Sequence, residues 1–151
     1  MLPRYHILSG IILTVAIWFF FPKTPLFFLG LFLFSSFLMD FDHYVVAAIK
    51  NNDLSLFKAF NYHKVQGEIQ KQQHRKGIFS KGDFHILHTI EFHTFIFLLG
   101  FAWKGFFFIF AGMLLHSLLD TIYLFSMQGS LYQREFSLGN WIAKKACSKI
   151  K

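Results

Sequence analysis

Charge is scarce in this chain. Of 151 residues only 15% are Asp, Glu, Lys or Arg, whereas 54% are hydrophobic and 23 are Phe, with a mean hydropathy of +0.44. That balance excludes an ordinary soluble surface. Runs such as 26–39 contain no charged residue at all, so they lack the polar outer face that a soluble amphipathic helix presents. Cysteine is nearly absent too: Cys147 stands alone, which excludes an internal disulfide and any thiolate-rich structural zinc site. Proline is rare, and two of the three, Pro22 and Pro25, flank Lys23 at a break between apolar runs. The Phe-rich stretch before Pro22 has no small-residue cleavage signal, so the first apolar run is expected to stay in the membrane.

What remains reads as an all-α integral membrane bundle forming one domain over 1–151. Four spans are expected at about 5–21, 26–49, 84–103 and 105–127, each near the roughly 20 residues that a bilayer core requires. Lys104-Gly105 makes the last connection tight, as Pro22–Pro25 does the first, giving two antiparallel hairpins. Arg4, the basic residues of loop 50–83 and those of the tail (Arg134, Lys144, Lys145, Lys149, Lys151) fall on one side, against Lys23 and Lys104 on the other. Positive-inside bias therefore predicts both termini and the loop in the cytoplasm, at the inner membrane, with Trp18 and Trp103 at the far interface. The net charge of +7 reads as orientation and attraction to anionic lipid, and nucleic acid is not an expected partner. Loop 50–83 is expected to be partly helical through Leu54, Leu56, Phe57 and Phe60, with His63 and His74 as surface residues. The tail from Ser137 reads as an amphipathic helix with Trp141, Ile142 and Ala146 facing the inner leaflet.

The few charges that do occur inside apolar runs are concentrated in Asp40-Phe-Asp42-His43, His85-x-x-His88-x-x-Glu91-x-His93 and His116-x-x-x-Asp120. These stretches hold half of the eight acidic residues and most of the eight histidines. An ionisable group at membrane depth costs about 2.5–3.5 kcal/mol even on the lenient insertion scale, so such residues are expected to be paired, wetted or metal-bound. Helical spacing puts His116 and Asp120 on one face, His85, His88 and Glu91 on another, and Asp40 with His43 on a third. Counting about 1.5 Å per residue from the outer ends, Asp40, His88 and Asp120 lie about 21–22 Å deep, and His6 reaches the same level. The expected site is thus in the cytoplasmic half.

Imidazoles mixed with carboxylates suit a divalent metal, Zn²⁺ first and Mn²⁺ or Fe²⁺ also. The candidates His6, Asp40, Asp42, His43, His85, His88, His116 and Asp120 exceed the four ligands of one tetrahedral zinc, so either two ions bind or several of these residues support the ligands from behind. Two ions would activate water and clamp a phosphoester. Glu91, one turn from His88, is the candidate general base. His93 points away from His88 on the wheel and reads as packing.

These motifs resemble the membrane-bound metal-dependent hydrolases that include the LexA-binding, inner-membrane-associated hydrolases. In that family a Leu-x-Asp-x-Asp-His segment is similar to Leu38-Met39-Asp40-Phe41-Asp42-His43, a His-x-x-His-Ser/Thr segment to His85-Ile-Leu-His88-Thr89, and a final His-x-x-x-Asp to His116–Asp120. His6 matches an early histidine of the first helix. Many relatives carry an arginine after the first histidine of the third motif, and none follows His85 or His88 here. A more remote similarity to zinc-dependent phospholipase C and the zinc nucleases implies phosphoester hydrolysis, with a lipid headgroup as substrate.

Two other functions fit the same residues. A scaffold or regulator would keep the metal as structure and use loop 50–83 for a protein partner. A metal or proton transporter would need a polar route on both sides, yet 8–21, 26–34, 94–103 and 106–115 carry no ionisable residue, so the site reads as a blind pocket.

Overall fold

A computed structural model describes residues 3–78, 80–128, 131 and 134–148. Among these, every regular element is helical. In chain order they are α1 (Pro3–Phe20), α2 (Leu26–Leu38), α3 (Phe41–Asn51), α4 (Leu56–Arg75), a single 3₁₀ turn (Ile86–His88), α5 (Ile90–Leu99), α6 (Gly105–Gln128) and α7 (Leu138–Ser148). Lys149 and Lys151 of the basic tail lie outside the described residues.

Local chemistry sets the boundaries. Pro3 opens α1, where its missing N–H is an orphan in any case, and Pro25 precedes α2. α3 ends on Asn52 at φ 50, whose N–H returns to Ala48 and Ile49 carbonyls as a left-handed cap. Thr89 is extended, and its hydroxyl accepts from the Phe92 N–H to cap α5.

Two stretches are long and apolar enough to cross a membrane, Leu26–Asn51 and Gly105–Ser126. Arg4–Phe20 and Ile90–Leu99 are shorter apolar helices. The expected continuous span over 84–103 is therefore corrected: α5 has 10 residues, a rise of about 15 Å against a hydrocarbon core of about 30 Å. The cause is Thr89. Its extended backbone at φ −83, ψ 150 breaks the helical path, and the three residues before it enter as a 3₁₀ turn whose Leu87 N–H bonds Asp42 Oδ2 at 2.7 Å. Loop 50–83 is more ordered than expected, because α4 occupies 20 of its residues. Tyr62 donates to Asp83 at 2.8 Å, and Lys50 also pairs with Asp83, so α4 is tied to the end of α3.

Small residues let the central helices touch. A Cβ at Gly112 of α6 would stand 2.3 Å from the Phe32 carbonyl oxygen and 2.1 Å from Ser35 Oγ; one at Gly10 of α1 would stand 2.3 Å from Ser36 Oγ. Backbone-to-backbone approach of this kind is how apolar helices associate where lipid offers no hydrophobic drive. The α2–α6 contact is the most extensive in the fold, and it sets His116, one turn beyond Gly112, against Ser36. The outward faces remain apolar, with Ile12, Phe19, Phe95, Leu98, Leu118 and Phe125 all exposed.

Candidate metal centre

The centre begins with an irregularity in α2. At its end the Asp40 N–H bonds the Phe37 carbonyl at 3.1 Å, a tightened i→i−3 turn, so the Ser36 carbonyl is released from the helical ladder. His116 Nδ1 takes that carbonyl at 2.8 Å. A carbonyl only accepts, so Nδ1 carries the proton and the Nε2 lone pair of His116 faces inward. The ring is fully buried.

Around that nitrogen the other groups assemble. His88 Nε2 lies 3.3 Å away, Asp120 Oδ2 3.5 Å and Asp40 Oδ1 3.7 Å. His6, also fully buried, stacks on His116 with ring centroids 3.8 Å apart and meets Asp120 Oδ1 through Nε2 at 3.2 Å. His43 stands beside His88 and His85, at centroid distances of 5.1 and 3.9 Å. Two triads have ligand atoms mutually within 4.8 Å: His6, His116 and Asp120, and His43, His88 and Asp120. These buried His/Asp groups could hold a metal ion. Asp120 belongs to both.

The donor set fits a divalent cation on a further ground. His6 Nδ1, Asp40 Oδ2, His85 Nδ1 and His88 Nδ1 are buried without a hydrogen-bond partner. An unpaired buried polar atom costs about 1–3 kcal/mol, and Asp40 Oδ2, beside the triads, would gain a partner from a bound cation.

The remaining residues sort by position. Asp42 is buried at the rim, 3.7 Å from His88 Nδ1 and 3.9 Å from His85 Nδ1, and belongs to neither triad. Asp40 and His85 also line the rim outside the triads. Glu91 does not join them. Its side chain accepts from Ser137 Oγ at 2.6 Å and from the Leu138 and Gly139 N–H groups at 3.0 and 3.1 Å, so it caps the start of α7 on the exposed side. The expected shared face of His85, His88 and Glu91 required one continuous helix, and Thr89 breaks it. His93 is engaged through both ring nitrogens, with the Thr89 carbonyl at 2.9 Å and Ser117 Oγ at 3.1 Å.

Two neighbours escaped the sequence reading. His63 of α4 holds the His43 carbonyl through Nε2 at 2.8 Å, so it braces a triad member. Arg134 donates to Asp120 Oδ2 at 3.0 Å, with its side chain 11% exposed. No spacing rule connects either to the centre. Both looked like polar residues of solvated segments.

Asp83 and Glu135, in the polar segments, are held ionised. Asp83 is partly desolvated, which opposes ionisation, but hydrogen bonds from Lys50 and Tyr62 outweigh this and keep its pKa below the usual carboxylate value. Glu135 is likewise lowered, first by its hydrogen bond from Lys144 and then, against slight desolvation, by Asn140 and Lys81. Lys81 and Glu135 thereby link the segment before the 3₁₀ turn to the tail.

The class these observations define is an all-helical protein with two helices long and apolar enough to cross a membrane and buried His/Asp groups able to hold a metal ion. No known protein family, no curated protein and no solved structure matches the chain.

Proposed function

We propose that the protein is a membrane-embedded metal-dependent hydrolase, a phosphoesterase acting on a lipid or headgroup phosphate at the inner leaflet. In this reading α1 and the α5 region join the two long apolar helices as a four-span bundle with both termini cytoplasmic. The observation that carries it is the pair of His/His/Asp triads sharing Asp120. A carboxylate common to two sites is the ligand arrangement of paired-ion phosphoesterases, and bound divalent ions would supply charge neutralisation and a water of lowered pKa. The apolar exterior and the resemblance of the motifs to the membrane-bound hydrolases support the same reading. Among this chain's own residues, His116 is oriented by Ser36, His43 is braced by His63, and Asp40 offers an unpaired carboxylate oxygen at the rim. Asp40 takes over the proton-acceptor role first given to Glu91.

The full burial of His6 and His116 favours a second reading, in which the His6–His116–Asp120 triad holds a structural ion in a scaffold protein. One experiment separates the two. Purified full-length protein is assayed for bound first-row metal and for phosphate release from phospholipids and lipid phosphates, beside His116→Ala, Asp120→Asn and Asp40→Asn. A hydrolase loses most of its metal in the first two variants, and in Asp40→Asn keeps metal while turnover falls roughly 10²–10⁴-fold. Metal-loaded protein with no release from any phosphoester leaves the scaffold. Full metal retention by His116→Ala and Asp120→Asn removes the metal centre altogether.

A further inference from the structure

We propose that Arg134 is the phosphate-receiving residue of the centre, and that the group it receives is the terminal dianion of a phosphate monoester. This rests on the hydrolase reading above and assigns its substrate class. The guanidinium is part-buried at the edge of the triads, 3.0 Å from Asp120 Oδ2, the same oxygen that lies 3.5 Å from His116 Nε2 and 3.9 Å from His88 Nε2. Its backbone is held in place from several sides. Lys81 Nζ reaches the Arg134 carbonyl at 3.4 Å, the Phe136 carbonyl accepts from the Ile90 N–H at 2.9 Å, and Glu91 grips the next three residues. The chain thus delivers a fixed cation to a place where divalent ions are also expected.

Among the described residues Arg134 is paired with Asp120 alone, and were divalent ions to draw on that carboxylate, the guanidinium would be costly there unless a further anion completed the site. Asp40, Asp42 and Asp120 are the carboxylates of the cluster, and the histidines are neutral ligands. With two divalent ions and Arg134, positive charge exceeds negative by about two, the charge of a phosphate monoester dianion. Arginine also has the geometry for the task, since its planar fork matches two phosphate oxygens at once, which a lysine does not. With the Asp120 oxygens committed to a bound cation, the Arg134 fork would be free to face the incoming group.

The test uses the full chain in detergent micelles, loaded with zinc, and measures binding of inorganic phosphate by calorimetry together with metal content by elemental analysis. Short-chain phosphatidic acid and phosphatidylcholine form a second arm. Arg134→Gln should keep its metal and bind phosphate about 10–100-fold more weakly, the loss of a charge-assisted fork, and Arg134→Lys should fall between it and wild type. Tighter binding of phosphatidic acid than of inorganic phosphate places the monoester on a lipid; the reverse places it in solution. Both support the assignment, provided phosphatidylcholine does not compete. Unchanged phosphate affinity in metal-loaded Arg134→Gln overturns it while leaving the hydrolase reading intact. Metal loss in both Arg134 variants also overturns it, because the guanidinium would then only position Asp120. A wild type that holds no metal ends both proposals, and one that holds metal without binding phosphate ends this one.

Discussion

A single carbonyl, that of Ser36, decides which nitrogen of His116 is available to a metal, and a single backbone conformation, that of Thr89, decides that Glu91 is not near it. Depth along the apolar runs was legible in the sequence because helical rise is nearly constant, which is why His6, Asp40, His88 and Asp120 could be drawn to one level. Facing was less legible. His88 and Glu91 share a face only in an unbroken helix, and a Thr-x-x pattern that caps a new helix is easily read as the middle of an old one. Glu91→Gln is therefore expected to leave bound metal and turnover within about twofold of wild type, since the residue lies outside the cluster. It should instead loosen the tail, because a neutral amide caps the start of α7 less well than a carboxylate. Limited proteolysis and the fluorescence of Trp141, which stacks on Phe84 at 4.4 Å, read that loosening. A hundredfold fall in turnover with an unchanged tail would return Glu91 to the chemistry.

At the scale of elements, the sequence marked apolar runs well and their subdivision poorly. The 26–49 run contains a tightened turn at Met39–Asp40 without any Pro or Gly to announce it, and 84–103 holds a 3₁₀ turn, a cap and a short helix. Arg134 was illegible for a different reason: its partner Asp120 belongs to α6, and no helical periodicity carries from that helix to residue 134. Close approach of α2 and α6 is what brings the Asp40 and His116 motifs together, and Gly112 is its hinge point. Gly112→Leu puts a branched side chain where even a Cβ would stand 2.3 Å from the Phe32 carbonyl, so the helices must separate. The expected cost is about 1–3 kcal/mol, the usual penalty of overpacking, and metal content should fall because Ser36 and His116 no longer meet. Gly30→Leu is the control, as nothing lies within 4 Å of a Cβ there. Denaturant midpoints and metal content of the two variants in the same detergent check this; equal behaviour would mean that α6 tolerates displacement and that the centre does not depend on the crossing.

On the scale of the whole molecule, the polar residues are segregated. The α1–α2 turn and the α5–α6 turn lie side by side, with Phe28 stacked on Phe108 at 5.0 Å and Trp103 beside Phe27 and Phe28, so Lys23 and Lys104 share one end. The triads, α4 and α7 occupy the other. Such polarity is what the proposed bundle requires, with both hairpins entering and leaving from the same face, and under that proposal the positive-inside bias of Arg4, Arg134 and the loop and tail lysines would make that face cytoplasmic. Cys147 is exposed on α7 and is the chain's one cysteine, which makes it a native reporter of sidedness. A membrane-impermeant maleimide should label it only after the membrane is opened, whereas Lys104→Cys in a Cys147→Ser background should be labelled in intact cells. The reversed pattern would invert the protein and place the centre in the outer half, where the leaflet's anionic lipid would no longer face it. Labelling of both positions from one side would show that α6, the long helix between them, does not cross the membrane. In that event the phosphoester would have to reach the centre from the water phase, and the lipid-headgroup substrate would lose its physical rationale.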